Sequence, residues 1–127
     1  MSTHLPTERD LGALLAGLTV YRHDGVWAYE AGLGGPDAIF HFREREGACH
    51  IVPANAETNA YNRWVWLELA VYSDLNAVGF LAAVADVLAR DHVPCNAIAA
   101  LNHDHIFVPE RLADVAVAAI ESLASTF

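Results

Sequence analysis

The sequence predicts an α+β fold: a mainly antiparallel sheet with helices packed on one face. Three observations carry this reading. Residues 64–72 alternate strictly, with Val65, Leu67, Leu69 and Val71 on one face and Trp64, Trp66, Glu68, Ala70 and Tyr72 on the other, the period of a strand. Two later segments, residues 77–90 and the one following Pro109, switch to a helical period. The chain has 127 residues, a length that suits one domain with its own core.

Taken in order, residues 8–16 form a short helix ended by Gly17. Residues 26–31 (VWAYEA) read as a strand from their aromatic and β-branched content. Gly32, Gly34, Gly35 and Pro36 break the chain into a loop. Residues 39–42 and 50–52 are strands joined through the turn signal Glu46-Gly47, as in a hairpin, and Pro53 stops the second. Residues 54–60 read as one or two helical turns. After the strand at 64–72, Ser73 or Asp74 offers a cap for a helix over 77–90, with Val78, Leu81, Ala85 and Leu88 on one stripe. Pro94 precedes a strand at 95–101. Asn102-His103-Asp104 is a turn and residues 105–108 a short strand. Pro109 opens the last helix, in which Leu112, Val115, Ala116, Ala119, Ile120 and Leu123 form a 3.6-period stripe.

The second half therefore reads β-α-β-β-α, a ferredoxin-like unit without its last strand. That strand position is filled from elsewhere or left as an edge, and the N-terminal strands are the obvious donors. No linker is read around residues 59–62, so the chain is one compact unit with a continuous sheet.

Composition narrows the function classes. The formal charge is −9, which argues against a nucleic-acid partner, because phosphate binding needs clustered Lys and Arg. The same field opposes docking on anionic lipid. Residues 1–10 hold no apolar run of the signal-peptide kind, and no stretch is long and apolar enough to span a bilayer. A cytoplasmic location follows by default. Cys49 and Cys95 are far apart in sequence and read as buried free thiols.

Several spaced segments resemble one family. Residues 73–84 (SDLNAVGFLAAV) look like the strand-to-helix junction of the ACT_3/ACT_7 group of ACT-domain proteins, as do residues 93–99 (VPCNAIA) and 103–109 (HDHIFVP). Residues 42–47 (FREREG), followed by Val52-Pro53, resemble the N-terminal half of the same group. The resemblance implies a ferredoxin-like ACT architecture, with residues 1–63 as an ACT_3-like half and 64–127 as an ACT_7-like half. It also implies regulatory binding of amino acids or similar small molecules, often at a dimer interface, so a homodimer with a small-molecule ligand is expected and no cofactor. The chain departs from the group at Leu101-Asn102, at Asp74 and at Arg45.

Four features are candidates for chemistry or contact. The first is the junction. A helix N-terminus presents unpaired N–H groups and the positive dipole end, which suit a carboxylate. Asp74 or Asn76 is placed to meet an ammonium group, and Gly79 allows close approach. The resemblance carries the ligand site onto Ser73, Asp74, Leu75, Asn76, Ala77, Val78 and Gly79, and adds Asn96, which matches an Asn that contacts ligand in some relatives. The competing reading is plain capping by Asp74. The second is His103-Asp104-His105, whose two imidazoles share a strand face, with Glu68 as a third donor. Zinc needs three or four ligands and only two are local, so a tight turn is the competing reading and no metal enters the main one. His4, His23, His41, His50 and His92 are scattered and read as surface or satisfied positions.

The third is catalysis. Cys49, Cys95 and Ser73 are the available nucleophiles, and none is paired with a base by local sequence. Glu44 and Glu46 alternate with Arg43 and Arg45, as on a solvated hairpin face. Residues 32–36 lack the context of a phosphate loop. No enzyme is expected. The fourth is the aromatic face of Trp64, Trp66 and Tyr72, extended by Phe107, which needs a cover: a partner subunit, or N-terminal residues folded back over it. Three functional readings stand: a small-molecule sensor, a metal-binding protein or metal-dependent hydrolase built on His103 and His105, and a pure interaction module.

Overall fold

The computed structural model describes residues 7–126; the N-terminal segment that carries His4 lies outside them. The elements are α1 (Leu11–Ala16), β1 (Val20–Arg22), β2 (Trp27–Ala31), β3 (Ile39–Glu44), β4 (Gly47–Pro53), β5 (Trp64–Leu69), α2 (Phe80–Arg90), β6 (Asn96–Ala99), β7 (Asp104–Pro109) and α3 (Ala113–Ser122). Short 3-10 turns sit at Ala60–Asn62, Glu110–Leu112 and Ala124–Thr126. The fold is α+β, with one mostly antiparallel, curled sheet and three helices.

The strands run in the order β3-β4-β2-β5-β7-β6, and β1 also pairs with β5. Every named pairing is antiparallel. On one side β5 pairs with β7; on the other it pairs first with β2, at Trp64 with Trp27, and then with β1, from Arg22 opposite Leu67 to Val20 opposite Leu69. The open edge of β5 is thus covered from within the chain. Three-residue β1 is too short to show a period, and the sequence reading did not find it.

The alternation in β5 decides the layers. Val65, Leu67 and Leu69 are buried with Ile106 and Val108 of β7 against all three helices: Leu14 and Leu15 of α1, Phe80, Val84 and Leu88 of α2, and Ala113, Ala116 and Ile120 of α3. Each fully buried Leu or Ile contributes about 1.5–3 kcal/mol of transfer free energy. The opposite face carries Trp66 and Phe107. The sheet curls over it, so that Phe40 of β3 sits edge-on to both, with ring centroids 5.5 Å from Trp66 and 5.8 Å from Phe107. Trp27 and Tyr29 of β2 complete the cluster. The N-terminal strands are the cover of the aromatic face, and Phe107 is 0% exposed without a partner.

Several boundaries differ from the periodicity. Strand β5 ends at Leu69, because the Val71 N–H turns back to the Leu69 carbonyl and the Ser73 N–H to that of Val71. The chain then pairs with the N-terminal segment, where Glu8 N–H donates to Tyr72 and Asp74 N–H to Glu8. Helix α2 begins at Phe80, not at residue 77, and Asp74 is not its cap. Asp74 forms a turn of its own, accepting from the Asn76 N–H at 2.8 Å, and Gly79 enters the helix at φ +88°, a left-handed conformation that favours glycine. The buried stripe of α2 is therefore Phe80, Val84 and Leu88, while Val78 and Leu81 are exposed. In α3 Val115 points to solvent and Ala113 takes the core position. Residues 54–60 hold a hydrogen-bonded turn, in which the Thr58 N–H donates to the Asn55 carbonyl at 3.1 Å, and lead into the 3-10 turn that begins at Ala60. Cys49 and Cys95 are free and partly buried.

Candidate functional site

The junction between β5 and α2 encloses a cavity of about 180 Å³. Ser73 and Asp74 line one side, Phe80 and Leu81 the helix side, and Ala99, Ala100 and Asp104 the floor from the β6–β7 hairpin. Helix α2 has no side-chain cap, so its first-turn N–H groups face outward without a protein carboxylate or hydroxyl. Two carboxylates flank the cavity and differ in what holds them. Asp74 is engaged: Thr7 Oγ1 donates to it at 2.7 Å, the Asn76 N–H at 2.8 Å, and Arg9 Nε lies at 3.2 Å. These bonds, that of Thr7 foremost, hold its carboxyl well below the usual carboxylate range. Among the described residues the Asp104 carboxylate accepts only from the Ser73 hydroxyl, at 3.0 Å. Leu75, in the lining, is 66% exposed, and Val78 on the same loop is 83% exposed.

On the other side of β5 a second constellation gathers around Glu68. His23 Nε2 donates to Glu68 Oε1 at 3.0 Å, and His103 Nε2 lies 3.5 Å from Oε2. The Nδ1–H of His103 donates to the Val71 carbonyl at 2.9 Å. Trp66 Nε1–H donates to His105 Nδ1 at 2.9 Å, which puts the proton of neutral His105 on Nε2. Burial pushes the His105 imidazole below its usual range, against the opposing pull of Glu68. Donor atoms of His23, Glu68 and His105 lie within 4.8 Å of one another, a spacing a metal ion fits. A cation there has to displace the proton on His105 or its bond from Trp66. Of the alternative metal reading, His105 and Glu68 fall in this group, which adds His23, while His103 touches Glu68 but is not part of it, its ring centroid standing 6.5 Å from that of His105. The sequence offered no signal for His23, since it follows a strand too short to see.

The ACT_7 family model, describing an ACT domain, matches residues 63–122. A protein of unknown function from Vibrio cholerae, described as a possible transport protein, is 30% identical; the alignment covers 90% of this chain and 95% of that one, with a TM-score of 0.76. The chain belongs to the ACT-domain family. A protein from Agobacterium tumefaciens shares the fold at 11% identity and a TM-score of 0.66, over 84% of this chain and 89% of its own. No curated protein matches this sequence.

ACT domains are generally regulatory, ligand-binding modules without catalytic chemistry, and no catalytic family is indicated here. The ACT match spans β5 to α3 and contains the whole junction. Of the predicted ligand residues, Ser73, Asp74, Leu75 and Ala77 line the junction cavity. Asn76 and Val78 are exposed on the same loop and do not line the cavity, and Gly79 is the turn into α2. Asn96 is not with them. It opens β6 three residues before Ala99 and lines a different cavity, on the face opposite the helices. Asp104, read from sequence only as a turn residue, is the carboxylate that faces the junction. Among the described residues no helix is long and apolar enough to cross a membrane.

Proposed function

We propose that this ACT-domain chain is a non-catalytic regulatory module that binds a small amphoteric metabolite, in the first place an amino acid, at the β5–α2 junction. In this reading β5-α2-β6-β7-α3, with β1 as the fourth strand beside β5, is a ferredoxin-like ACT unit, and the protein works as a cytoplasmic homodimer. The observation that carries the proposal is the uncapped N-terminus of α2 set across a cavity from Asp104. The N–H groups and dipole of α2 hold the carboxylate. Asp104 attracts the ammonium group, and Leu75 and Leu81 meet the side chain.

The homodimer follows from size. A cavity of about 180 Å³ is smaller than the roughly 300–1,000 Å³ that encloses a typical ligand. A second copy seated on exposed Leu75, Val78 and Leu81 supplies the missing wall. Ligand then shifts the dimer equilibrium by its differential affinity for the two states.

A thermal-melt series over the common amino acids tests this. Binding to the native state raises the midpoint with ligand concentration, by about 2.7 kcal/mol of stability at 100 times Kd. The expected result is a rise with at least one amino acid that Asp104→Asn removes. No rise with any of them, or an undiminished rise in Asp104→Asn, contradicts the site.

The donor geometry around Glu68 supports a second reading, a metal-binding protein using His23, Glu68, His105 and His103. Its mark is a Zn²⁺-dependent rise in midpoint that disappears in His23→Gln. Chelator and Zn²⁺ leaving the midpoint equal eliminates it.

A further inference from the structure

A cavity of about 520 Å³ lies on the face of the sheet opposite the helices, where the curl brings β3 and β4 close to β6. These strands stand at the two ends of the strand order, so the cleft is the gap in an incompletely closed barrel. Its volume falls within the range of small-molecule sites.

The backbone is distorted to shape it. The register of β3 against β4 shifts between Ile39 and Phe42, and Phe40 within that bulge takes φ +52°, a left-handed conformation rare for an aromatic residue. The bulge sends the Phe40 ring inward, 5.2 Å from the His105 ring, where it forms a wall of the cleft with Ile51 and Ile98. Backbone strain of this kind gathers at ligand clamps.

Four polar side chains lining the cleft, the Tyr29 hydroxyl, the His41 imidazole, the Glu44 carboxylate and the Asn96 amide, make no side-chain hydrogen bond or ion pair with other described residues; the His41 ring packs near that of His50, 6.3 Å between centroids. Burial pushes the Tyr29 phenol up to about 12, so it remains a donor at neutral pH. The buried His50, by contrast, is already engaged by the Gly32 carbonyl at 2.7 Å and by Glu30 at 3.4 Å. Among the described residues Glu44 is the one carboxylate in the lining and no Lys or Arg joins it, and the whole chain carries a formal charge of −9. The site therefore selects against anions.

We infer that this cleft is a second ligand site, for a small organic cation consisting of an amine on a flat or branched apolar body. The ammonium group pairs with Glu44, and the apolar body lies among Phe40, Ile51 and Ile98, where ring faces also favour a cation. Tyr29 and Asn96 hold a polar substituent. The inference does not depend on the junction, whose ligand needs a carboxylate that a simple amine lacks.

Calorimetric titration with 2-phenylethylamine tests it, with 3-phenylpropionate as an anion of similar body. Saturable binding of the amine is expected at millimolar concentration or below, with none for the carboxylate. Glu44→Gln, at an exposed position that leaves the fold intact, weakens the amine at least about tenfold, and Ile98→Trp fills the cleft and abolishes binding. Absence of saturable amine binding overturns the proposal. So does an affinity that Glu44→Gln leaves unchanged, or equal binding of the carboxylate. A protein that responds to amino acids but not to the amine keeps the junction and loses this site; the reverse result does the opposite.

Discussion

Asp74 spends its charge inside the chain. Its bonds to Thr7, the Asn76 N–H and Arg9 tie the N-terminal segment to the junction. Its carboxyl is depressed in the folded state, so its contribution to stability is full above the ordinary value of 3.8 and is lost as pH falls below it. Urea midpoints measured from pH 6 down to pH 2 are expected to fall more steeply for the wild type than for Asp74→Asn; parallel curves contradict this role. The α3 residues give a second contrast. Ile120 is 0% exposed and Val115 44%. Ile120→Ala is expected to cost about 2–5 kcal/mol, and Val115→Ala to stay within about 0.5 kcal/mol, by chemical denaturation. The 3.6-residue period put both in one stripe. It found the stripe and misjudged its margin, because at 3.6 residues per turn Val115 stands about 140° round the helix from Ile120, at the edge of the buried face.

At the level of elements, the sequence showed a helix after β5 but not how it begins. Asp74 and Asn76 are residue types that cap helices, and the same types close local turns; here the turn prevailed, because Gly79 alone takes the left-handed step into α2. The metal candidates show the same division. His103, Asp104 and His105 were visible as a local motif, while His23 and the Trp66 bond come from pairing that sequence does not print. The His23–Glu68–His105 group joins the segment after β1 to β5 and β7. His105 is held neutral below its ordinary value of 6.5, so the unfolded chain binds more protons in that range and stability falls as pH drops through it. Glu68, His103, His23 and Asp104 set the charge around it. A thermal midpoint that declines below pH 6.5 in the wild type and less so in His105→Gln is expected. Equal slopes contradict the assignment.

Over the whole molecule, antiparallel pairing and a helical layer on one face followed from period alone. The curl did not. It rests on contacts such as Phe40 on Trp66, 26 positions apart in the chain, and on a bulge that no turn signal marks. The two halves share one sheet and one core: β1 covers the edge of β5, and Leu14, Leu15 and Leu18 pack with the residues of α2 and α3. Residues 63–127 alone are therefore expected to lack a cooperative melting transition at concentrations where the full chain has one, as followed by circular dichroism. A cooperative monomeric transition contradicts the single-core account.

The central claim is that the N-terminus of α2 is the seat of a ligand carboxylate. Amide chemical-shift mapping by NMR, with the amino acid that raises the melting midpoint, tests it most directly. The account predicts the largest saturable shifts at the N–H groups of Gly79, Phe80, Leu81 and Ala82, with Asp104 next. Saturable shifts confined elsewhere, with these amides unmoved, contradict it.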